Sequence, residues 1–159
     1  ATVSVESVSR AGLVTNDIVT VSATGTFDTK DVGSGKTVTL SSSYSGNDYG
    51  NYTITNQAST TANITAKALT MSGLSVPSSK VYDGTTAAVV TGTPTLATAI
   101  GAGTGTSADG APYTGDTITC VGSAVGTYNS KDVATASTVT FSGLTLSNSN
   151  YTLTIQSHT

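Results

Sequence analysis

The chain carries one sequence pattern twice, about one hundred residues apart. Four short blocks recur in the same order, each displaced by 99 to 101 positions. The paired blocks are residues 17–21 and 116–120, 25–32 and 126–133, 37–41 and 138–142, and 51–55 and 150–154. Because repetition at a fixed period indicates repeated structural units, the sequence predicts two copies of one small domain, residues 1–63 and 64–159.

Within each block, apolar and polar residues alternate with the two-residue period of a half-buried β-strand. Val19 and Val21 share one face, as do Val38 and Leu40, and Thr fills most positions between such residues. The chain has 33 Thr and 22 Ser, and β-branched residues favour strands over helices. The sequence therefore predicts an all-β protein, an elongated pair of small antiparallel β domains that are either β-grasp-like or immunoglobulin-like sandwiches.

The two copies differ at their starts. The second copy begins with a predicted strand near residues 67–73 and a Tyr-Asp-Gly turn, whereas residues 1–5 align with residues 87–90. The first copy is therefore predicted to lack its opening strand, and the chain to be a window from a longer tandem array. The second copy also contains a stretch rich in Gly, Ala and Thr at 94–112, which we expect to be an inserted surface loop or hairpin.

Charge and composition exclude several classes of protein. Only 9% of the residues are charged and the formal net charge is −3, so the chain has no basic stripe for nucleic acid. No apolar run approaches the ~18 residues that a membrane span needs. A single Cys can form neither an internal disulfide nor a Cys-based zinc site.

The sequence predicts no catalytic residues and no cofactor. His158 is the single imidazole and lies next to the last residue, where we expect a frayed terminus rather than a nucleophile–base pair. Cys120 aligns with Val21 on an inward strand face, which favours a small buried apolar role. The chain is therefore not expected to be an enzyme.

Three acidic residues in corresponding turns are weak candidates for calcium ligands: Asp28, Asp31 and Asp132. Lys30 and Lys131 lie beside them, and the alternating Asp pattern of a calcium loop is absent. The pattern favours carboxylates that fix a turn or pair with lysine.

Other motif residues have a structural interpretation. Tyr82 is expected to close the core, and Asp83 and Gly84 to form a turn in which Gly adopts a positive φ. The repeated Asn-Tyr-Thr segment places a further set at strand entries: Asn51, Tyr52, Asn150 and Tyr151. The glycosylation acceptor pattern occurs at three positions, Asn51, Asn63 and Asn150.

One motif resembles a known family. Residues 80–86, Lys-Val-Tyr-Asp-Gly-Thr-Thr, are followed by Gly115-Asp116, by 131–133 and by 149–152. This order resembles the YDG-type repeat of large bacterial surface and secreted adhesins, which are similar to filamentous haemagglutinin. The resemblance covers nearly the whole chain, although residues 1–63 match as a partial copy. It implies an exported, extracellular, non-catalytic and β-rich repeat.

Three roles follow from these patterns. The leading hypothesis is a spacer repeat in the stalk of an adhesin, whose partners are neighbouring repeats. The missing strand suggests a second role, a surface fibre or pilus subunit assembled by strand exchange with another copy. The third is a module that binds a glycan or a surface receptor through the 94–112 loop and Tyr113.

Overall fold

A computed structural model describes residues 2–4 and 11–159. These residues form ten β-strands and one short 3₁₀ turn, Tyr49–Asn51, and they contain no α-helix. The prediction of an all-β protein is therefore confirmed. The strands are β1 Thr2–Ser4, β2 Thr20–Phe27, β3 Gly33–Ser45, β4 Ser59–Ile64, β5 Lys67–Ser75, β6 Ala87–Ala88, β7 Thr91–Leu96, β8 Cys120–Tyr128, β9 Val139–Leu146 and β10 Tyr151–Ile155.

The chain divides into two compact units, Ala1–Thr65 and Ala66–Thr159. In the first unit, four strands form one antiparallel sheet in the order β1-β2-β3-β4. Along β2 and β3, alternate residues turn to one face, where Val38 and Val19, the residue before β2, are buried. The Thr and Ser residues between them face solvent, which explains how a strand-rich chain manages with few charges.

The second unit holds two three-stranded sheets, β10-β5-β7 and β6-β8-β9. Its core is larger than that of the first unit. Leu69 and Met71 of β5 are 0% and 2% exposed. The other buried apolar residues of this unit include Ala111, Pro112, Val139, Phe141, Leu144 and Tyr151.

Equivalent strands of the two units pair in the same register next to the hairpin turn, although β8–β9 has an irregularity between Gly122 and Val125 that β2–β3 lacks. Gly25 lies opposite Leu40 in the β2–β3 hairpin, and Gly126 lies opposite Phe141 in the β8–β9 hairpin. Strand β1 pairs with β2 as β6 pairs with β8, through partners of the same two glycines. The repeated sequence blocks therefore fold into the same hairpin twice.

One pair of strands departs from the expected antiparallel arrangement. Strand β10 runs parallel to β5, in register from Tyr151 opposite Lys67 to Ile155 opposite Met71. The prediction of purely antiparallel domains is wrong for this pair. Strand β5 opens the second unit and β10 comes near its end, so the intervening chain serves as the long crossover that parallel strands require.

The repeated Asn-Tyr-Thr segment forms a strand in one unit and not in the other. Residues 151–155 form β10, whereas the equivalent residues 52–56 of the first unit are not part of a strand. The prediction of a strand at 51–55 is therefore wrong. A strand needs a hydrogen-bonded neighbour; β5 supplies it in the second unit, and no described strand supplies it in the first.

Only part of the inserted stretch, residues 94–112, forms an exposed loop. Its first residues, 94–96, belong to β7, and its last residues, 110–112, are buried. Ile100 bridges to Tyr113: the Ile100 N–H donates to the Pro112 carbonyl at 2.9 Å, and the Thr114 N–H donates to the Ile100 carbonyl at 2.8 Å. The prediction of a loop over 94–112 is wrong at both ends, because backbone hydrogen bonds pin them. Residues 101–109 are the exposed part.

Candidate functional site

A tyrosine close to the end of each unit is hydrogen-bonded in the same way in both. The Tyr151 hydroxyl donates to Asp116 Oδ2 at 2.7 Å and accepts the N–H of Tyr113 at 3.1 Å. In the first unit, the Tyr52 hydroxyl donates to Asp17 Oδ2 at 2.5 Å and accepts the N–H of residue 14 at 3.1 Å. We call this arrangement of tyrosine, aspartate and backbone N–H the tyrosine lock.

The tyrosine lock ties together segments that are distant in sequence. The tyrosine follows the Asn that ends a turn, and the aspartate starts the segment that leads into the first long strand of the hairpin. A hydrogen bond to a carboxylate is stronger than a neutral one. It favours the neutral phenol, and Asp17 accordingly raises the pKa of Tyr52 above its usual value. Sequence reasoning singled out both tyrosines and missed their aspartate partners, although both aspartates begin repeated blocks.

A second polar cluster lies at the start of β5. Lys67 Nζ lies 2.8 Å from Asp109 Oδ1 and 4.1 Å from the centre of the Tyr113 ring. The Asp109 carboxylate also accepts the N–H of Thr106 at 2.8 Å and that of Ala111 at 2.9 Å. The lysine side chain is 9% exposed. This cluster fastens the exposed part of the inserted stretch to β5.

The two charges of this cluster support one another. Lys67 lowers the pKa of Asp109 to about 2, with a further contribution from the Ala111 N–H. Burial is the largest single influence on Lys67 and lowers its pKa, but Asp109 and Tyr113 together outweigh burial and leave that pKa above its usual value. An amine that stays protonated has no free electron pair for nucleophilic attack. The cluster is therefore a structural ion pair. The sequence feature that could have predicted it is the single lysine at the start of the apolar strand β5.

The Tyr-Asp-Gly loop is organised around another lysine. Lys80 Nζ lies 2.9 Å from Asp83 Oδ1 and donates to the carbonyls of Thr85 at 3.0 Å and Ala87 at 2.8 Å. Asp83 Oδ1 accepts the Thr85 N–H at 2.9 Å, and Gly84 has a φ of +77°. Lys80, followed by the Thr85 N–H, lowers the pKa of Asp83 to about 2. Asp83 and Gly84 thus form a tight turn that closes on the lysine.

Tyr82 does not close the core. Its side chain is 57% exposed, and Lys131 Nζ lies 6.0 Å from the centre of its ring. The prediction of a buried Tyr82 is wrong because hydrogen bonds that the Lys80 ammonium donates to backbone carbonyls hold this loop, and the aromatic ring lies on the outside. Val81 is also exposed.

The candidate calcium ligands do not come together. Asp28 pairs with Lys36 at 3.5 Å, and Asp132 pairs with Lys131 at 3.2 Å. Asp31 is exposed. Over residues 2–4 and 11–159, no three His, Cys, Asp or Glu side chains cluster in a way that could hold a metal ion.

The three glycosylation-pattern asparagines have different surroundings. Asn51 is exposed at the end of the 3₁₀ turn. The side-chain oxygen of Asn63, in β4, accepts the N–H of Gly35 at 2.8 Å. Asn150 is half-buried, and its carbonyl accepts the Lys67 N–H at 3.1 Å. The side chain of Asn63 and the backbone of Asn150 therefore have structural roles.

Two further candidates have structural surroundings. Cys120, a free thiol, is half-buried in β8. His158 pairs with Val139 through backbone hydrogen bonds of 2.7 and 2.9 Å, so the prediction of a frayed residue is wrong. Thr60 pairs with Val38 at the equivalent position of the first unit, where β4 continues this pairing.

Comparison with known proteins identifies one family. The family model described as the YDG domain matches residues 1–62 and 65–159. No curated protein and no solved structure matches the chain. Within the described residues, no helix is long and apolar enough to cross a membrane.

Proposed function

Because the chain belongs to the YDG domain family, we propose that it is a spacer repeat in the stalk of an extracellular bacterial adhesin. In this role the domain carries no ligand and no catalytic group. It holds a distal binding region away from the cell, and copies in series set the reach.

The observation that carries this proposal is the tyrosine lock, which is built twice in one chain. A binding or catalytic site usually occurs once per protein, whereas an interaction that stabilises a repeat must occur in every repeat. Tyr52 and Tyr151 make equivalent bonds of 2.5 and 2.7 Å to their aspartates. The residue equivalent to the cation–π partner Tyr113 is Val14, so the Lys67 cluster is not repeated in this form.

The electrostatics also support a structural role. Catalytic acids typically have a raised pKa, so that they can release a proton near neutral pH. Asp83 and Asp109 instead have pKa values lowered to about 2 by paired lysines. The connection between β4 and β5 is two residues long, Thr65 and Ala66. Short connections between successive units suit a spacer.

Surface display tests the proposal. A binding domain of known specificity is fused to one, two or four copies of residues 1–159 and displayed on bacterial cells. The cells carry a capsule-like polymer layer that hides the binding domain when the spacer is short. A spacer should increase the capture of receptor-coated beads with each added copy. Cells that display the chain without the binding domain should not adhere to glycan-coated or host-cell surfaces. Adhesion by the chain alone would instead identify a binding module.

A second candidate function is favoured by the different states of the repeated Asn-Tyr-Thr segment. No described strand gives residues 52–56 the neighbour that β5 gives to β10. A subunit with such an edge can join a fibre by accepting a strand from another chain. Light scattering of the purified chain over a range of concentrations separates this role, which requires growing oligomers, from a spacer, which requires none.

A further inference from the structure

The parallel ladder of the second unit shows how a YDG repeat completes its core. The two most buried side chains of β5, Leu69 and Met71, are brought into the unit by pairing with β10. The Lys67 N–H donates to the Asn150 carbonyl at 3.1 Å. In a parallel ladder the next bonds run from the Thr152 N–H to the Lys67 carbonyl and then alternate along the strand.

Among the described residues, no strand pairs with the equivalent segment of the first unit. Residues 52–56 are equivalent to 151–155, and their side chains are half-buried at Tyr52 and exposed from 53 onwards. Ile54 is 37% exposed, whereas its counterpart Leu153 is half-buried beside Leu69. In the β10–β5 register the amides of Thr53 and Thr55, equivalent to 152 and 154, would donate to a strand in the position of β5.

Apolar side chains flank this edge. In the second unit, Pro112 is buried and Tyr113 is half-buried, and Gly110, close to both, accepts the N–H of Thr70 from β5. Their counterparts in the first unit are Leu13 and Val14, which are 36% and 62% exposed. Exposed apolar groups beside a segment that no described strand pairs with mark a position for another chain segment.

The edge is also held in place before any strand arrives. The tyrosine lock fixes Tyr52 at one end, and at the other end the Tyr44 hydroxyl donates to the side-chain oxygen of Asn56. Just beyond, the Ala58 carbonyl accepts the Leu40 N–H at 2.9 Å. A preorganised edge loses little conformational entropy on binding.

We propose that residues 52–56, with Leu13 and Val14, form an acceptor site for a β5-type strand of another YDG repeat, added parallel and in the β10–β5 register. The register places a Leu beside Ile54 and a Met beside Asn56, as Leu69 and Met71 lie beside 153 and 155. The fibre role requires a strand from another chain, and this proposal names that strand. The proposal therefore rests on the fibre role. It does not depend on the spacer role.

The occupant is a free β5-type segment and not the β5 of a folded second copy. In the folded second unit, Leu69 is fully buried and Lys67 is paired with Asp109, so withdrawing β5 would expose Leu69 and break this ion pair. In this chain β5 follows the β4 of the preceding unit after two residues. A segment that continues from the β4 of a neighbouring repeat therefore has the required sequence and position in the chain.

The site predicts which residues the occupant needs. Its apolar positions, equivalent to Leu69 and Met71, should be essential because they cover Ile54 and the open side of the core. A lysine equivalent to Lys67 should be dispensable, because Val14 stands where the second unit has the aromatic ring of Tyr113.

A capped synthetic peptide of residues 66–75, Ala-Lys-Ala-Leu-Thr-Met-Ser-Gly-Leu-Ser, tests the acceptor site on the full chain 1–159. Titration by isothermal calorimetry measures affinity, and amide hydrogen exchange by NMR locates the site. Binding with one peptide per chain and new protection of the Thr53 and Thr55 amides is expected. The Leu69→Asp peptide should not bind, and the Lys67→Ala peptide should bind as well as the parent peptide.

Two variants of the chain form a matched pair. Thr53→Pro removes the amide that the ladder needs, and Tyr52 already has the extended backbone, φ −118° and ψ 139°, that precedes proline. Thr53→Ala keeps that amide. We expect an affinity about tenfold lower or worse for Thr53→Pro and no change for Thr53→Ala. Both variants should retain the melting temperature of the parent chain.

Two outcomes would overturn the acceptor site: no binding of the peptide, or peptide-induced changes in hydrogen exchange that are confined to residues 152–154 and so indicate exchange with β5. The fibre role fails independently, if the chain remains a monomer at all concentrations. If the chain stays a monomer and binds the peptide through Thr53 and Thr55, the acceptor site is supported and self-assembly of the chain alone is excluded.

Discussion

The Tyr151 hydroxyl lies 2.7 Å from Asp116 Oδ2 and closes the second unit across 35 positions of sequence. The same bond recurs between Tyr52 and Asp17, which are also 35 positions apart. The repeated sequence blocks therefore make the same long-range contact in both units. Whatever else differs between the units, each uses this hydrogen bond to hold the end of the Asn-Tyr-Thr segment against the start of the hairpin.

Replacing Tyr151 with Phe should destabilise the second unit. The substitution removes the donor to Asp116 and the acceptor of the Tyr113 N–H, at a cost of about 1–3 kcal/mol. Tyr52→Phe should have a smaller effect, because Tyr52 is less buried. Urea denaturation followed by NMR signals from each unit measures both. Tyr82→Phe, on an exposed ring, is the control and should leave stability unchanged.

The contribution of β5 to the free energy of unfolding can be measured by substituting one buried and one exposed leucine. Leu69→Ala should lower the stability of the second unit by about 2–5 kcal/mol, since the side chain is completely buried. Leu13→Ala, at an exposed position, should change stability by less than about 0.5 kcal/mol. Equal effects in a thermal or chemical denaturation experiment would contradict the assignment of β5 to the core.

Acid should weaken the second unit over a defined range. The pKa of Asp109 is lowered to about 2 in the folded protein, so its ion pair with Lys67 stabilises the fold fully above the unfolded-state pKa. That stability is lost as the pH falls from about 5 towards 2. Melting temperatures measured between pH 6 and pH 2 should therefore fall more steeply for the parent chain than for Asp109→Asn. Asp132→Asn, at an exposed pair, provides the comparison.

Proline at equivalent positions distinguishes a paired strand from an unpaired one. Thr152→Pro removes a ladder donor between β10 and β5 and should cost the second unit about 1–3 kcal/mol. Thr53→Pro should change stability by less than about 0.5 kcal/mol, because residue 53 belongs to no described strand. Differential scanning calorimetry of the two variants gives the comparison. A large loss for Thr53→Pro would mean that the segment is paired after all.

Local patterns in the sequence predicted local structure well. The alternation around Val38 and Leu40 identified β3, and the repeated blocks identified the same hairpin in both units. Asp83 and Gly84 were recognised as a turn because the Asp-Gly pair has a strong conformational preference. Periodicity reports which face of a strand is buried, and it is largely independent of the partner strand.

Partnerships between distant residues were beyond sequence reasoning. The parallel pairing of Leu69 with Leu153, and the ion pair between Lys67 and Asp109, depend on how the chain returns to its starting strand. Tyr82 was misplaced for a related reason, since Lys80 determines the loop through contacts with carbonyl groups. No local pattern records which backbone carbonyl groups will converge on an ammonium.

Native-state hydrogen exchange of the unmodified chain tests most directly the claim that the equivalent segments 52–56 and 151–155 differ in strand pairing. The amides of Thr152 and Thr154 should be protected by β5, and those of Thr53 and Thr55 should exchange at nearly the rate of an unstructured peptide. Equal protection at the two equivalent pairs would contradict the account, because a neighbouring strand would then already cover the first unit.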